Sequence, residues 1–394
     1  MSGYYLIRDG QGVTAAQGFA AAGVAAGLKT SGNADVALVH NLGPDAVAAG
    51  VFTSNRVVAA PVVHSRVVLA NHRVRAVLLN SGGANACTGS GGLADARESA
   101  AATAAALGLH ADDVAVASTG LIGVRLPMDR LRAGISDAAA ALSPEGGPLA
   151  ATAIMTTDTV PKQAEITTDD GWTVGGMAKG AGMLAPGLAT MLVVITTDAR
   201  VDPLVLDRAL RTACRLTFDR LDTDGCMSTN DTVLALASGA SGVEVDGPQL
   251  ADALVAVCGD LCQQMMADAE GADHDITIEV VNADSVEDAV EVGRAIARSN
   301  LFKTAVAGND PNWGRVLAQI GTTAAEFDPD ELDVSFNGVQ VCTGGGIGAP
   351  REDVDLTGRQ VHVLVDLHAG TESASILTSD LTHGYITENA EYST

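Results

Sequence analysis

The sequence predicts an α/β protein in which strands and helices alternate along the chain. Short β-branched apolar runs recur, and Ala-rich segments with apolar residues at helical spacing lie between them. Aromatic residues make up only 3% of the 394 residues, so Ala, Val, Leu and Ile must form the core. No Pro- or Ser-rich linker divides the chain. We therefore expect its two halves to share one layered core.

The first half is predicted to contain strands, two helices and one hairpin. Ala, Arg and Glu are typical of the predicted helix at 93–107, and Asp-Asp-Gly marks the turn of the hairpin. The run MLVVITT is uncharged and β-branched, which is typical of a buried strand. In chain order we expect a strand at 36–40, a strand at 74–80, a helix at 93–107, a strand at 114–117, a helix at 128–142, hairpin strands at 164–168 and 172–178, and a strand at 191–197.

The second half repeats the alternation. Pro203 suits the first turn of a helix, and Ser285 followed closely by Glu287 is typical of a helix start. We expect a helix at 203–218, a strand at 232–237, a helix at 249–269, a strand at 276–281, a helix at 285–299 and a strand at 361–367.

Charge and hydropathy exclude several classes of partner. The net charge of −25 is opposite to what a nucleic-acid-binding protein needs. Charged or turn-forming residues interrupt every apolar stretch before it reaches eighteen residues, so we predict no membrane span. Residues 15–28 are Ala- and Gly-rich, and Arg8 with Asp9 is a poor positive start for a signal peptide. We expect a cytoplasmic protein that acts on small molecules.

The cysteines and histidines show no metal-ligand spacing. Six cysteines contain no CxxC pair, and eight histidines contain no HExxH motif. We therefore expect no metal site and no cofactor.

One segment points to unusual nucleophile chemistry. A Gly- and Pro-rich stretch, KGAGMLAPGLA, runs from Lys179 directly into the predicted buried strand, with Thr190 at the entrance. A threonine hydroxyl is a weak nucleophile that needs a base. Cleavage between Ala189 and Thr190 would create an α-amine on the same residue, and such amines titrate near pH 8. Nucleophile and base would then come from one residue, with no histidine required.

Several motifs in a fixed order carry a resemblance over essentially the whole chain. They are GVTAAQGFAAAGVAAGLK, FTSNRVVAAPV, NSGGANACTG, ASTGLIG, AIMTTDTVPK, KGAGMLAPGLATMLVVITTDA, GNDPNWGR and GYITENAEYST. Together they resemble the ornithine acetyltransferase (glutamate N-acetyltransferase) family of arginine biosynthesis. One departure is Gly83, where many members carry Asn.

The resemblance implies a fold, an assembly and a reaction. The fold is a layered αββα sandwich shared with self-processing aminopeptidases, with a smaller C-terminal lobe. Self-cleavage gives an alpha chain of residues 1–189 and a beta chain of residues 190–394 that begins with the nucleophile, and both share one core. Two of each chain form a heterotetramer. The acetyl group passes from N2-acetyl-L-ornithine to L-glutamate by a ping-pong mechanism without a cofactor.

The resemblance also implies roles for individual residues. Thr190 matches the nucleophile, and Thr119 with Gly120 matches the oxyanion hole. We infer that Lys179 meets the substrate carboxylate and that Glu270 meets its side-chain ammonium. The motif GNDPNWGR is expected to form a wall of the site, and the C-terminal tail is expected to be ordered. The substrate-binding positions are Thr156, Lys179, Thr190, Glu270, Asn389 and Thr394.

Three other functions remain open from the residues alone. A dinucleotide-binding oxidoreductase would use Gly89–Ala94, which fits G-x-G-x-x-A, although eight residues separate Gly89 from the predicted strand that ends at Asn80. A self-processing amidase or peptidase would use Thr190 with water as the acceptor. A non-enzymatic acidic binding protein would leave the chain uncut.

Overall fold

The computed structural model describes residues 4–185 and 191–391. Within them the chain forms sixteen strands and ten α-helices. The strands are β1 Tyr4–Ile7, β2 Phe19–Val24, β3 Val36–Asn41, β4 Val47–Phe52, β5 Ala76–Asn80, β6 Val114–Ser118, β7 Lys162–Thr168, β8 Thr173–Lys179, β9 Leu192–Thr197, β10 Thr232–Ala237, β11 Asp275–Ala283, β12 Asp333–Phe336, β13 Val339–Thr343, β14 Gly346–Ile347, β15 Gln360–Asp366 and β16 Glu372–Ser379. The helices are α1 Ala60–Val68, α2 Gly89–Leu107, α3 Met128–Ala140, α4 Gly147–Ala153, α5 Pro203–Leu216, α6 Gly247–Ala267, α7 Val286–Ala297, α8 Asn300–Ala307, α9 Trp313–Ile320 and α10 His383–Glu391.

Two sheets pack face to face between two layers of helices. One sheet has the order β1-β7-β8-β9-β10-β4, and the other has the order β2-β3-β5-β6. Successive side chains of a strand point to opposite faces. Leu192 and Val194 of β9 therefore pack between the sheets, while Val193 and Ile195 pack against α5 and α6. Helices α2 and α3 cover the outer face of the second sheet. The expected αββα sandwich is confirmed.

The larger sheet joins residues from both sides of position 190. Strands β1, β4, β7 and β8 come before it, and β9 and β10 come after it. Strand β9 is antiparallel to β8 and parallel to β10, so it lies inside the sheet and is buried on both faces. This double burial explains why the run MLVVITT is uniformly apolar rather than alternating.

A smaller lobe follows the sandwich, as expected. Its sheet has the order β14-β13-β12-β15-β11-β16. Ile278 of β11, Val363 of β15 and Phe336 of β12 form its core with Val292 of α7 and Phe302 of α8. This lobe has a core of its own, so the second half of the chain contributes both to the shared sandwich and to a separate unit.

The strands and helices expected from the sequence are all present, with ends that differ by a few residues. Helix α2 begins at Gly89, four residues before the predicted start, and Ser285 caps α7 by accepting a hydrogen bond from the Asp288 amide. The sequence patterns missed β2 and β4, which read FAAAGV and VAAGVF. Ala and Gly have low strand propensity, so pairing with β3 and β10 decides their conformation. No helix in residues 4–185 or 191–391 is both long and apolar enough to cross a bilayer.

The ends of the two sheets meet on one side of the sandwich. Lys179, the last residue of β8, lies opposite Leu192, the first residue of β9. In the other sheet, the ends of β5 and β6 pair Asn80 with Ser118. The loops that follow these ends therefore gather the polar side chains of several segments at one edge of a mainly apolar interior.

The cap of α5 offers a test of the local structure. The Asp202 side chain accepts hydrogen bonds from the amides of Leu204 and Val205. We expect Asp202→Ala to lower the free energy of unfolding by about 1 kcal/mol, since the cap is lost. Asp207→Ala on the same helix removes only an exposed ion pair with Arg211, which is worth about 0.3–0.5 kcal/mol. Urea unfolding of both variants measures the difference, and equal losses would contradict the assignment of Asp202 as the cap.

Candidate active site

A cleft opens where the ends of the two sheets meet. It has a volume of about 100 Å³, and it lies among the loops after β5, β6 and β8, the loop before β10, and the C-terminal helix α10. Six of the residues expected from the sequence line it: Thr119, Gly120, Thr156, Lys179, Glu270 and Asn389. Ala189, Thr190 and Thr394 lie outside the described residues. The cleft also has lining residues that the sequence did not point to, among them Ala84, Ser228 and Asn230.

Two loops pack closely around Thr119 and Gly120. The Thr119 amide donates to the Asn80 carbonyl at 2.9 Å, and the Gly83 amide donates to the Thr119 carbonyl at 3.0 Å. Neither bond uses the N–H of Gly120. The φ angle of Gly120 is +125°, and a Cβ there would lie 2.8 Å from the Gly83 nitrogen. Glycine is therefore required at position 120, both for its conformation and for the close approach of the two loops.

Asn230 ties these loops to the larger sheet. Its buried side-chain amide donates to the carbonyls of Ala84 at 2.6 Å and Ser118 at 2.8 Å. The Ser118 hydroxyl in turn donates to the side-chain oxygen of Asn80 at 2.6 Å. Asn230 thus fixes the backbone directly before Thr119. The signal in the sequence is the polar run STND immediately before a buried strand, but nothing local identifies its partners.

Lys179 is the cation of the cleft. Its side chain is buried at the end of β8, and its Nζ donates to the Thr119 hydroxyl at 3.5 Å. Burial lowers the pKa of the Lys179 ammonium, and the negative charge of Asp158 acts in the opposite direction. Burial of an ammonium is costly unless charged or hydrogen-bonding groups compensate it, and Asp158 and the Thr119 hydroxyl do so in part here.

Glu270 supplies the opposite charge. Its amide donates to the Ala181 carbonyl at 3.1 Å, which holds it beside the segment that follows β8. The side-chain nitrogen of Asn389, Nδ2, donates to Glu270 Oε2 at 2.9 Å. Asn389 lies on α10, so this helix of the C-terminal tail packs against the cleft, and Thr394 lies outside the described residues. The Thr382 hydroxyl, just before this helix, donates to the Gly271 carbonyl at 2.5 Å.

The motif GNDPNWGR lies at the junction of α8 and α9. Asn312 caps α9, since its side-chain oxygen accepts a hydrogen bond from the Arg315 amide. None of the residues at 308–315 lines the described part of the cleft around Thr119. Gly308 instead lines a neighbouring cavity of about 760 Å³, which shares Thr157 and Glu270 with the cleft. The motif therefore borders the approach to Glu270 rather than forming a wall beside Thr119.

The geometry of the cleft suits a small zwitterionic ligand. It brings a buried ammonium, a carboxylate, a hydroxyl and a glycine-rich backbone within one small volume. Within residues 4–185 and 191–391, no group of three His, Cys, Asp or Glu side chains is arranged to hold a metal ion. The described side chains provide hydrogen-bond donors and charges around a space of about 100 Å³.

Comparison with known proteins identifies the family. A model of the ArgJ family matches residues 20–394. The chain belongs to the ArgJ family. Among its relatives, the arginine biosynthesis bifunctional protein ArgJ of Streptomyces avermitilis is 63% identical over 381 residues, which are 97% of this chain and 99% of the relative. The protein of the same name from Streptomyces coelicolor is 61% identical over the same share of both chains.

A solved structure is also similar in sequence. Ornithine acetyltransferase from Mycobacterium tuberculosis, in complex with ornithine, is 59% identical over 47% of this chain and 98% of the solved chain, with a TM-score of 0.46.

Membership of the ArgJ family confirms the resemblance seen in the sequence. As a member of this family, the chain is an acyltransferase that transfers acetyl groups in arginine biosynthesis. The dinucleotide-binding and non-enzymatic alternatives are therefore wrong. The structure also argues against dinucleotide binding. Residues 81–88 separate β5 from α2, so there is no tight strand-to-helix turn that could hold a pyrophosphate.

The contact at Gly120 predicts a large effect of a single methyl group. Gly120→Ala would push its Cβ into the Gly83 backbone and displace the donors of the loop. The resemblance implies that this loop forms the oxyanion hole, so we expect acetyl transfer to fall by about a hundredfold or more. Steady-state rates of acetyl transfer measure the change.

Gly123→Ala is the matched control for this loop. Gly123 also has a positive φ, of +88°, but a Cβ there would meet nothing within 4 Å. Its variant shares the backbone strain without the clash. If the two variants lost activity equally, strain of the loop and not the packing against Gly83 would explain the loss.

Proposed function

We propose that this chain cuts itself between Ala189 and Thr190 and then uses Thr190 to transfer acetyl from N2-acetyl-L-ornithine to L-glutamate. The observation that carries the proposal is the cleft in which Thr119, Gly120, Lys179 and Glu270 converge beside the start of β9. Met191 is buried at that start, and its amide donates to Asp231 Oδ1 at 3.1 Å. Thr190 is bonded covalently to this anchored amide.

The proposed nucleophile needs no histidine. Once the bond before it is broken, Thr190 has a free α-amine that titrates near pH 8, so about one molecule in five or fewer has a neutral amine at pH 7. The neutral amine accepts the proton of the Thr190 hydroxyl as the oxygen attacks. The side chains of the cleft are consistent with this chemistry, because its lining residues include no histidine among those the structure describes.

The charges of the cleft suit the two amino acids that take part. We propose that Lys179 binds the α-carboxylate and that Glu270 binds the side-chain ammonium of acetylornithine. Thr156, Asn389 and Thr394 complete the binding site in this proposal. The binding of ornithine by the Mycobacterium tuberculosis enzyme supports an ornithine-based donor.

The proposed reaction has two half-reactions. Thr190 Oγ forms a bond to the acetyl carbonyl carbon, while the Thr119 hydroxyl and Gly120 N–H hold the oxyanion. The bond between that carbon and N2 of ornithine then breaks, and the leaving amine takes the proton from the Thr190 α-amine. The amine of glutamate next attacks the acetyl-threonine ester, and Thr190 Oγ leaves and regains its proton. The products are ornithine and N-acetylglutamate.

We propose further that the cleaved chains assemble as two alpha and two beta chains in the cytoplasm. The free state of the cysteines supports a reducing compartment. All six cysteines lie within the described residues and none is bonded to another, although Cys87 and Cys226 are exposed.

The nucleophile is tested with Thr190→Ala and Thr190→Ser. We expect wild type to give two fragments of about half the mass, the second beginning at Thr190, under denaturing conditions. Thr190→Ala should remain one chain and transfer no acetyl, because it has no hydroxyl. Thr190→Ser retains the hydroxyl and should still be cut and active at a lower rate. Intact-mass spectrometry and an assay of acetylglutamate formation measure both results.

The same assay separates the alternatives. Release of free acetate in place of acetylglutamate would identify an amidase that uses water. If wild type is active but uncut, Thr190 has no free α-amine, and the proposed base is wrong. Acetyl-CoA is tested as a second donor in parallel, because the curated relatives are named bifunctional, whereas the sequence shows no CoA-binding motif.

A further inference from the structure

A buried network of charges lies directly behind the cleft. The Lys162 side chain is fully buried, and its Nζ contacts Asp158 Oδ1 and Asp268 Oδ2, each at 2.6 Å. The backbone amide and the hydroxyl of Thr159 both donate to Asp268. None of these four side chains was identified from the sequence. Burying an ion pair of this kind rarely adds stability, so its presence next to the cleft needs another reason.

Asp158 connects this network to two residues of the cleft. Its Oδ1 accepts a hydrogen bond from the Gly180 amide at 2.7 Å, directly after Lys179. Its Oδ2 accepts one from the Thr156 amide at 2.9 Å. One carboxylate therefore fixes the backbone at both Thr156 and Lys179. Asp268 lies two residues before Glu270, so the same network also reaches the second charged residue of the cleft.

The charges within the network oppose one another. Burial by itself would raise the pKa of the Asp158 carboxyl, but the positive charges of Lys179 and Lys162 lower it to about 2. Asp158 is therefore ionised near neutral pH. For the Lys179 ammonium, burial lowers the pKa, Asp158 raises it and Lys162 lowers it.

Other charged groups also face Lys179. Glu270 and Asp231 raise the pKa of its ammonium, and Lys29, in the segment after β2, is close enough for the two ammonium groups to repel. These groups lie on other segments and stay constant when only the network is changed.

We propose that Asp158 and Lys162 are positioning residues, which hold Lys179 in the cleft and set the charge it presents to a substrate carboxylate. The proposal rests on the proposed function, in which Lys179 binds that carboxylate. Asp158 keeps Lys179 protonated in spite of its burial. Lys162 in turn shares the Asp158 carboxylate and lowers the pKa of the Lys179 ammonium, so it moderates the effect of Asp158.

This role predicts pH effects of opposite sign. Asp158→Asn leaves Lys179 and Lys162 as two buried cations without their shared anion, so Lys179 should lose its proton at a lower pH. Lys162→Met leaves Asp158 with Lys179 as its cation, so Lys179 should retain its proton to a higher pH. We expect the alkaline limb of ligand binding to move by about one pH unit or more in each direction.

The measurement is the affinity for ornithine by calorimetry from pH 6 to pH 10, beside kcat and KM for acetylornithine. The matched control is Asp198→Asn. Asp198 is another buried carboxylate that accepts backbone hydrogen bonds, but it lies beyond the opposite end of β9. We expect Asp158→Asn to raise the KM about tenfold with a smaller change in kcat, and the control to keep the wild-type limb.

Each outcome decides one of the two proposals. Wild type that binds ornithine but forms no acetylglutamate would contradict the proposed function and leave the network testable by binding. If wild type is active and the pH dependence of ornithine binding is the same in Asp158→Asn as in wild type, the proposed role of the network is wrong. If the alkaline limb of ornithine binding moves in the same direction in Asp158→Asn and Lys162→Met, the substitutions have only a structural effect and the proposed role is wrong. If Lys162→Met does not fold, the alkaline limb of ornithine binding in Asp158→Asn, compared with that in Asp198→Asn, still decides the inference.

Discussion

The burial of β9 on both faces is the constraint on which the rest of the structure depends. Helices α5 and α6 cover one face and the second sheet covers the other, so the strand cannot leave without opening two cores. On each side β9 is paired along its length, with β8 and with β10. A break in the chain just before this strand would leave its position unchanged. The proposed cut can therefore create a new chain end without releasing the residue that carries it.

The same arrangement explains why charges gather at one edge. Most side chains inside the sandwich are apolar, and the charged groups of the cleft lie at or beyond the ends of strands. Asn230 bridges the loops of one sheet to the start of β10 in the other, and Asp158 joins the segments before β7 and after β8. Each of these side chains serves two segments at once. The cleft is thus rigid because its supports are shared, and a rigid set of donors is what stabilises a developing charge without reorganisation.

The sequence predicted the layers better than the supports of the site. Strand β9 and helix α6 were clear because their apolar patterns are long and regular. Strands β2 and β4 were missed because Ala and Gly carry little strand preference, and only their neighbours decide their conformation. The residues of the cleft came from family motifs. Asn230 was missed because its partners Ala84 and Ser118 are 146 and 112 residues away in sequence. Asp158 and Lys162 are only four residues apart, but Lys162 also pairs with Asp268, 106 residues away, and no local pattern shows that contact.

The most direct test of the account is to trap the acetyl group on the protein. The purified protein is incubated with N2-acetyl-L-ornithine without glutamate, quenched in acid and digested for peptide mass spectrometry. The account predicts one acetyl group on the peptide that begins at Thr190, attached as an ester that hydroxylamine removes and glutamate discharges as acetylglutamate. An acetyl group on another residue, or transfer to glutamate with no acetylated peptide at any stage, would contradict it.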